Sequence, residues 1–188
     1  MNKTKRKIFE ASMKLFAEKG YDATSIEEIT STVGVAKGTL YYHFSSKEEI
    51  FNFLVEEGVK LLKNSIEIKT QKLEKTMDKL KAIVLIEIKI MAKYEDFMTI
   101  LLSQIWGNEP RNIACKKYVL EYIKIVEKIV DEGIKKGEVI QGDAELIATE
   151  IFGTTCSSLV YKLKTGRSID TKQIYLEYEK TLLRGLQK

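Results

Sequence analysis

The densest chemistry in this chain sits in seven consecutive residues, Lys37-Gly38-Thr39-Leu40-Tyr41-Tyr42-His43. Lys37 and His43 can meet phosphates, and Thr39 can donate or accept a hydrogen bond. Tyr41 and Tyr42 offer hydroxyls plus flat apolar bodies suited to thymine methyls or sugars. Gly38 has no side chain, so a helix backbone there can approach a duplex closely. Leu40 and Phe44, spaced i, i+4, form the face that must pack inward. Lys47 and the amides at Ser25, where a preceding helix starts, add two further phosphate sites. The chemistry this pattern suits is recognition of double-stranded DNA; the alternative is an ordinary helical hairpin with exposed polar residues.

Catalytic chemistry has little to work with. The single histidine, His43, lies inside that segment, so no nucleophile–histidine pair can be built elsewhere. Cys115 and Cys156 are far apart and lack ligand spacing, which points to buried thiols and not to a disulfide or a metal site. The chain is therefore expected to be no enzyme, with no catalytic residues, no metal and no cofactor. No glycine-rich phosphate loop occurs.

The elements that must position these residues are helices. One proline in 188 residues leaves few breakers, and 44% hydrophobic content supplies a core. No strand pattern, repeat or low-complexity tract is present. Ile8, Ala11, Ser12, Leu15 and Phe16 mark one stripe of a first helix over 3–19, stopped by Gly20. Ser25 and Glu28 form a capping box for a second, Gly34 makes a turn, and a third runs from about Ala36 to Phe44. Ser46 and Glu49 form another capping box and launch a long fourth helix. Further helices are expected over about 75–93, 97–106, 111–136, 143–164 and 171–186. The net charge is +4, and the first 47 residues carry eight basic against five acidic side chains. No signal peptide or uncharged apolar stretch of membrane-spanning length is visible, so a soluble, cytoplasmic protein with no membrane partner is expected.

Residues 5–55 resemble the N-terminal domain of the TetR family of transcriptional repressors. The resemblance rests on Ile8, Ala11, Leu15, Phe16, Gly20, Thr24, Ile29, Gly34-Val35, Lys37 to Tyr41, Phe44 and Lys47-Glu48, all in register. Glu132 to Val139 more weakly resembles the end of that family's long seventh helix. Ala36 departs from the usual Ser or Thr, and Thr30 and Val33 stand where alanine is usual. The resemblance implies an all-α protein of about nine helices. A helix-turn-helix DNA-binding domain would occupy 1–47, and an effector-binding and dimerisation domain 48–188. It further implies a homodimer on a near-palindromic operator, helices 8 and 9 forming its interface.

In the second half the residues are read without motifs. Leu80, Val84, Met91 and Tyr94 share one helix face, with Glu87 in its middle. A carboxylate in an apolar stripe is costly unless paired, so Glu87 faces an effector cavity, a buried ion pair with a lysine or arginine of a neighbouring helix, or solvent from an edge position. Glu87, Met91, Tyr94, Trp106, Tyr118, Tyr122, Phe152 and Cys156 are the candidate pocket residues; these soft or flat side chains suit a small hydrophobic or aromatic effector. The last two helices carry Leu146, Ile147, Ile151, Phe152, Leu159, Val160 and Leu163, then Ile174, Tyr175, Tyr178, Leu182 and Leu183, more apolar surface than a terminal hairpin needs. The expected function is a ligand-responsive repressor. The alternative is a DNA-binding regulator with no small-molecule effector, controlled by a protein partner.

Overall fold

A computed structural model describes residues 2–168 and 170–188. The side chains of Leu159 and Leu163, two of the residues expected on the terminal apolar face, lie outside the described ones, as does that of Lys164. The chain is all-α: α1 (Lys3–Lys19), α2 (Ile26–Val33), α3 (Lys37–His43), α4 (Lys47–Thr70), α5 (Thr76–Lys93), α6 (Glu95–Gln104), α7 (Pro110–Lys136), α8 (Ala144–Thr165) and α9 (Thr171–Tyr178). After α9 the helix passes through a π turn, Glu179–Leu183, into the short α10, Arg184–Leu186. Among the described residues no helix is long and apolar enough to cross a membrane.

Two compact units result, and they do not follow chain order. One is Met1–Gly58 with Asp96–Tyr118; the other is Val59–Glu95 with Val119–Lys188. The first therefore holds α1 to α3 and the start of α4, together with α6 and the start of α7.

In the first unit, Ile8, Phe16, Ile29, Leu40, Phe44, Ile50, Phe51 and Leu54 are almost fully buried. Ser12 is also buried on the α1 face because its hydroxyl donates to the Ile8 carbonyl, 2.8 Å away. The Ser25–Glu28 capping box forms with both arms. At α4 the expected box is only half made. The Glu49 amide donates to Ser46 Oγ at 3.0 Å, but the Glu49 carboxylate turns to the Ser45 amide and hydroxyl, both 2.6 Å. Gly58 has no room for a side chain: a methyl there would overlap the Phe97 ring of α6.

The α6–α7 corner departs from the expected helix over 97–106, because Asn112 ends α6 two residues early. Its Nδ2 donates to the Gln104 carbonyl and to Gln104 Oε1, both at 2.9 Å, while its Oδ1 accepts from the Glu109 amide at 3.0 Å. One side chain thus closes α6 and caps α7.

In the second unit, the stretch Glu132 to Val139 has a physical reading. Gly133 lies against Thr76 and Val139 with no space for a Cβ. Gly137, at φ 73°, takes the left-handed conformation that ends α7. Lys75 gives α5 no side-chain cap; the Glu138 carboxylate instead accepts from the Thr76 amide, across 62 positions of sequence. An isolated bridge between Val139 and Gln187 and the Ile140 amide donating to the Leu186 carbonyl pin the chain's last residues to this turn.

Candidate nucleic-acid interface and buried carboxyl

The reading surface is built by burying one face of a seven-residue helix. Leu40 is fully buried and Phe44 nearly so. Phe44 stacks edge-on against Phe53, with centroids 5.5 Å apart, and the Lys5 ammonium sits 4.7 Å from the first ring and 4.5 Å from the second. That seat turns the remaining side chains outward. Tyr42 is 85% exposed and Tyr41 46%, a large aromatic exposure that packing alone would not retain. Lys37 and Gly38 are exposed too, and nothing lies within 4 Å of where a Gly38 Cβ would point. Thr39 and His43 are half-buried, and the Tyr42 and His43 rings meet at 5.0 Å.

Gly34, at φ 74°, makes the left-handed turn from α2 to α3, and the Val35 amide returns to the Thr30 carbonyl at 3.1 Å. Ala36 supplies no cap. Lys37 pairs with Glu27 on the surface. That partnership holds the Glu27 carboxyl below its ordinary range and the Lys37 ammonium above its own. Exposed pairs of this kind contribute little because solvent screens them, so a phosphate can displace the carboxylate at little cost.

Two of the expected phosphate ligands have other work. Lys47 is turned inward: its ammonium donates to the Tyr21 and Thr24 carbonyls, both at 2.8 Å, and lies 4.3 Å from the Tyr21 ring centroid. It closes the turn between α1 and α2, helped by the Thr24 hydroxyl, which donates to the Gly20 carbonyl at 2.9 Å. Ser25 is committed to the capping box through its amide, which donates to the Glu28 carboxylate at 2.9 Å, and its hydroxyl, which accepts the Glu28 amide at 3.1 Å.

In the second unit Glu87 is fully buried on α5, with Leu80, Val84 and Met91 on the same face. No cation meets it. The Tyr122 hydroxyl of α7 donates to Glu87 Oε1, and Thr155 Oγ1 of α8 lies 2.8 Å from Oε2. Burial is the first cause acting on this carboxyl and pushes it up to about 7; the two hydroxyls pull the other way. The geometry also suits the protonated acid. Oε2–H would donate to Thr155 Oγ1, whose own proton would go to the Phe152 carbonyl at 2.9 Å. The Phe152 ring packs on Tyr122 at 5.5 Å, and burial, reinforced by Glu87, pushes the Cys156 thiol up to about 12.

Residues 8–54 match the model of the bacterial regulatory proteins of the tetR family. A solved structure from Clostridium perfringens, of a protein named for a proposed role in regulating fatty acid metabolism, has a TM-score of 0.91 at 32% identity. The match covers 97% of this chain and 99% of that one. This chain belongs to the TetR family of transcriptional regulators. A fatty acid metabolism regulator protein of Bacillus subtilis is 28% identical over 152 residues, 78% of this chain and 77% of the relative. A Bacillus subtilis regulator solved with stearoyl-CoA shares the fold, with a TM-score of 0.84 at 23% identity over 97% of this chain and 99% of that one.

Of the eight candidate pocket residues of this TetR-family chain, Glu87, Tyr122, Phe152 and Cys156 come together in the second unit. Met91 is buried one turn along α5, and Tyr94 is half-buried at its end. Trp106 is 86% exposed, because Asn112 ends α6 at Gln104 and leaves Trp106 in the loop. Tyr118 is half-buried and belongs with Trp106 to the first unit. A cavity of about 370 Å³ lies elsewhere, between the end of α8 and α9, lined by Ser157, Tyr161, Arg167, Gln173 and Tyr178 among others, and includes none of the eight. Sequence reading missed Thr155, although a hydroxyl in line with buried Ile147 and Ile151 on α8 is a visible signal.

Proposed function

We propose that this chain is a ligand-responsive repressor that leaves a near-palindromic operator when a hydrophobic small molecule binds residues 48–188. The supporting observation is the α3 surface, where buried Leu40 and Phe44 force Tyr41, Tyr42, Lys37 and Gly38 outward beside a glycine turn. Lys37, Thr39, Tyr41, Tyr42 and His43 are the proposed base and phosphate contacts, and Gly38 lets the backbone approach. Ser25 and Lys47 then act mainly by holding α2 and the preceding turn in place. Acting on chromosomal DNA places the protein in the cytoplasm.

A dimer is supported by the solvent face of α8. Leu146, Gly153 and Val160 recur every seven residues, with Ser157 between them, and Leu146 and Val160 are exposed, as is Leu176 on α9. Heptad spacing of apolar and small residues is the pattern of a helix seam awaiting a partner. Val160→Glu with Leu176→Glu should convert a dimer to a monomer in light scattering and abolish operator binding. A variant that stays dimeric contradicts this interface.

For the effector, the relatives concerned with fatty acid metabolism and the stearoyl-CoA complex of a protein with this fold support a long-chain acyl thioester. Titration of stearoyl-CoA into the protein–operator complex tests it, and release at micromolar ligand is the expected result. The second reading, control by a protein partner, is favoured by the closed state of the Glu87 cluster, in which both carboxylate oxygens are already satisfied. No release by stearoyl-CoA or by shorter acyl-CoAs would favour it.

A further inference from the structure

Tyr21, in the turn between α1 and α2, is gripped by two cations from distant parts of the chain. Lys47 of α4 approaches to 4.3 Å of its ring centroid, and the Arg111 guanidinium of α7 to 4.7 Å. Phe16 and Phe51 pack the ring at 5.3 Å each. Arg111 does more than stack. Its Nη2 donates to Asp22 Oδ2 at 3.0 Å, and its Nε donates to Gln104 Oε1 at 3.0 Å. One planar fork thus joins the α1–α2 turn, 89 positions before Arg111 in sequence, to the end of α6.

The fork is itself held in place. Gln104 Oε1 also accepts from Asn112, which closes the α6–α7 corner. Gly107 in that corner has no room for a Cβ because the Asn112 amide fills the space, and Lys116 donates to the Gly107 carbonyl at 2.6 Å. The Asp22 side chain is largely exposed, so the ion pair adds little stability. What the arrangement supplies is geometry. A small displacement of the corner withdraws the guanidinium from Asp22 and from the Tyr21 face together. The turn it holds leads directly into Ser25 and α2, whose end is the glycine turn to the reading helix.

We propose that Arg111 is a positioning residue for operator binding, clamping Tyr21 and Asp22 to the α6–α7 corner so that the corner and the reading helix change state together. This rests on the operator-binding reading above. Because coupling is reciprocal, it can be read without the effector: DNA bound at α3 must alter the corner.

The test is amide hydrogen exchange on the full-length protein, with and without a duplex selected in vitro by the wild-type chain. In the wild type the duplex should slow exchange in α3 and also in the peptide spanning Gln104 to Lys116. In R111A the protection of α3 should persist, with affinity reduced about fivefold, while the response at the corner is lost. R111K should behave like R111A, since an ammonium cannot hold Gln104, Asp22 and the ring at once. If R111A folds poorly, Asp22→Asn, at an exposed site, is read in the same way and should weaken the corner response. A corner that responds fully in the variants, or never responds in the wild type, overturns the proposal. A wild-type chain that selects no duplex overturns the operator-binding reading instead.

Discussion

Glu87 shows how far one residue can be read. A carboxylate centred in an apolar face is legible as costly, and so as meaningful. Its partners are not, because Tyr122 and Thr155 lie 35 and 68 positions away on other helices. The partners decide the outcome, since hydroxyls can serve a neutral acid where a lysine could not. With its carboxyl raised from 4.5 to about 7 in the fold, Glu87 is protonated in both states below about pH 4.5. As pH rises towards 7 the unfolded chain gives up this proton and the folded chain keeps it. Stability therefore falls across that window, by on the order of 3 kcal/mol, and levels off above it. Glu87→Gln keeps both hydrogen bonds without the charge. Thermal unfolding should show the variant gaining stability over wild type at pH 8 and little or none at pH 4.5. An equal effect at both values would contradict the neutral-acid assignment. Lys47 is the complement: a basic residue beside a reading helix is legible in the sequence, but the two backbone carbonyls of the folded turn to which its ammonium donates are not.

At the scale of elements, most helix boundaries were legible, because stripes, glycines and caps are local. The first helix over 3–19 and the Ser25–Glu28 box are found as the sequence implies. The departures come where a distant or neighbouring side chain intervenes: Asn112 shortens α6, Ser45 diverts Glu49, and a π turn interrupts the last helix. Glu138 belongs here as well, since nothing near Thr76 in sequence announces that its cap comes from the end of α7. Glu138→Ala should remove that cap and lower stability, measured by urea unfolding, with the Glu138→Gln variant intermediate. No loss in the alanine variant would mean that water replaces the cap without cost.

For the whole molecule, the family and the all-α architecture followed from some fifty residues, since glycines, caps and buried aromatics must all be in register to make α1 to α4. The grouping of α6 and the start of α7 with those helices did not, because it depends on long-range contacts such as Arg111 with Asp22 and Phe97 against Gly58. The pocket was the least legible part. Soft and aromatic residues fill cores and line cavities alike, and Trp106 is exposed. The central claim, that the exposed face of α3 reads DNA, is tested most directly by fluorescence anisotropy. Wild type, Lys37→Ala and Tyr41→Ala would be titrated into a labelled, selected duplex over a series of salt concentrations. Tight binding by wild type is expected, with weaker binding by both variants and a salt dependence for Lys37→Ala that is shallower by about one unit in log K against log salt. Two variants that bind like wild type, with the same salt dependence, would contradict it.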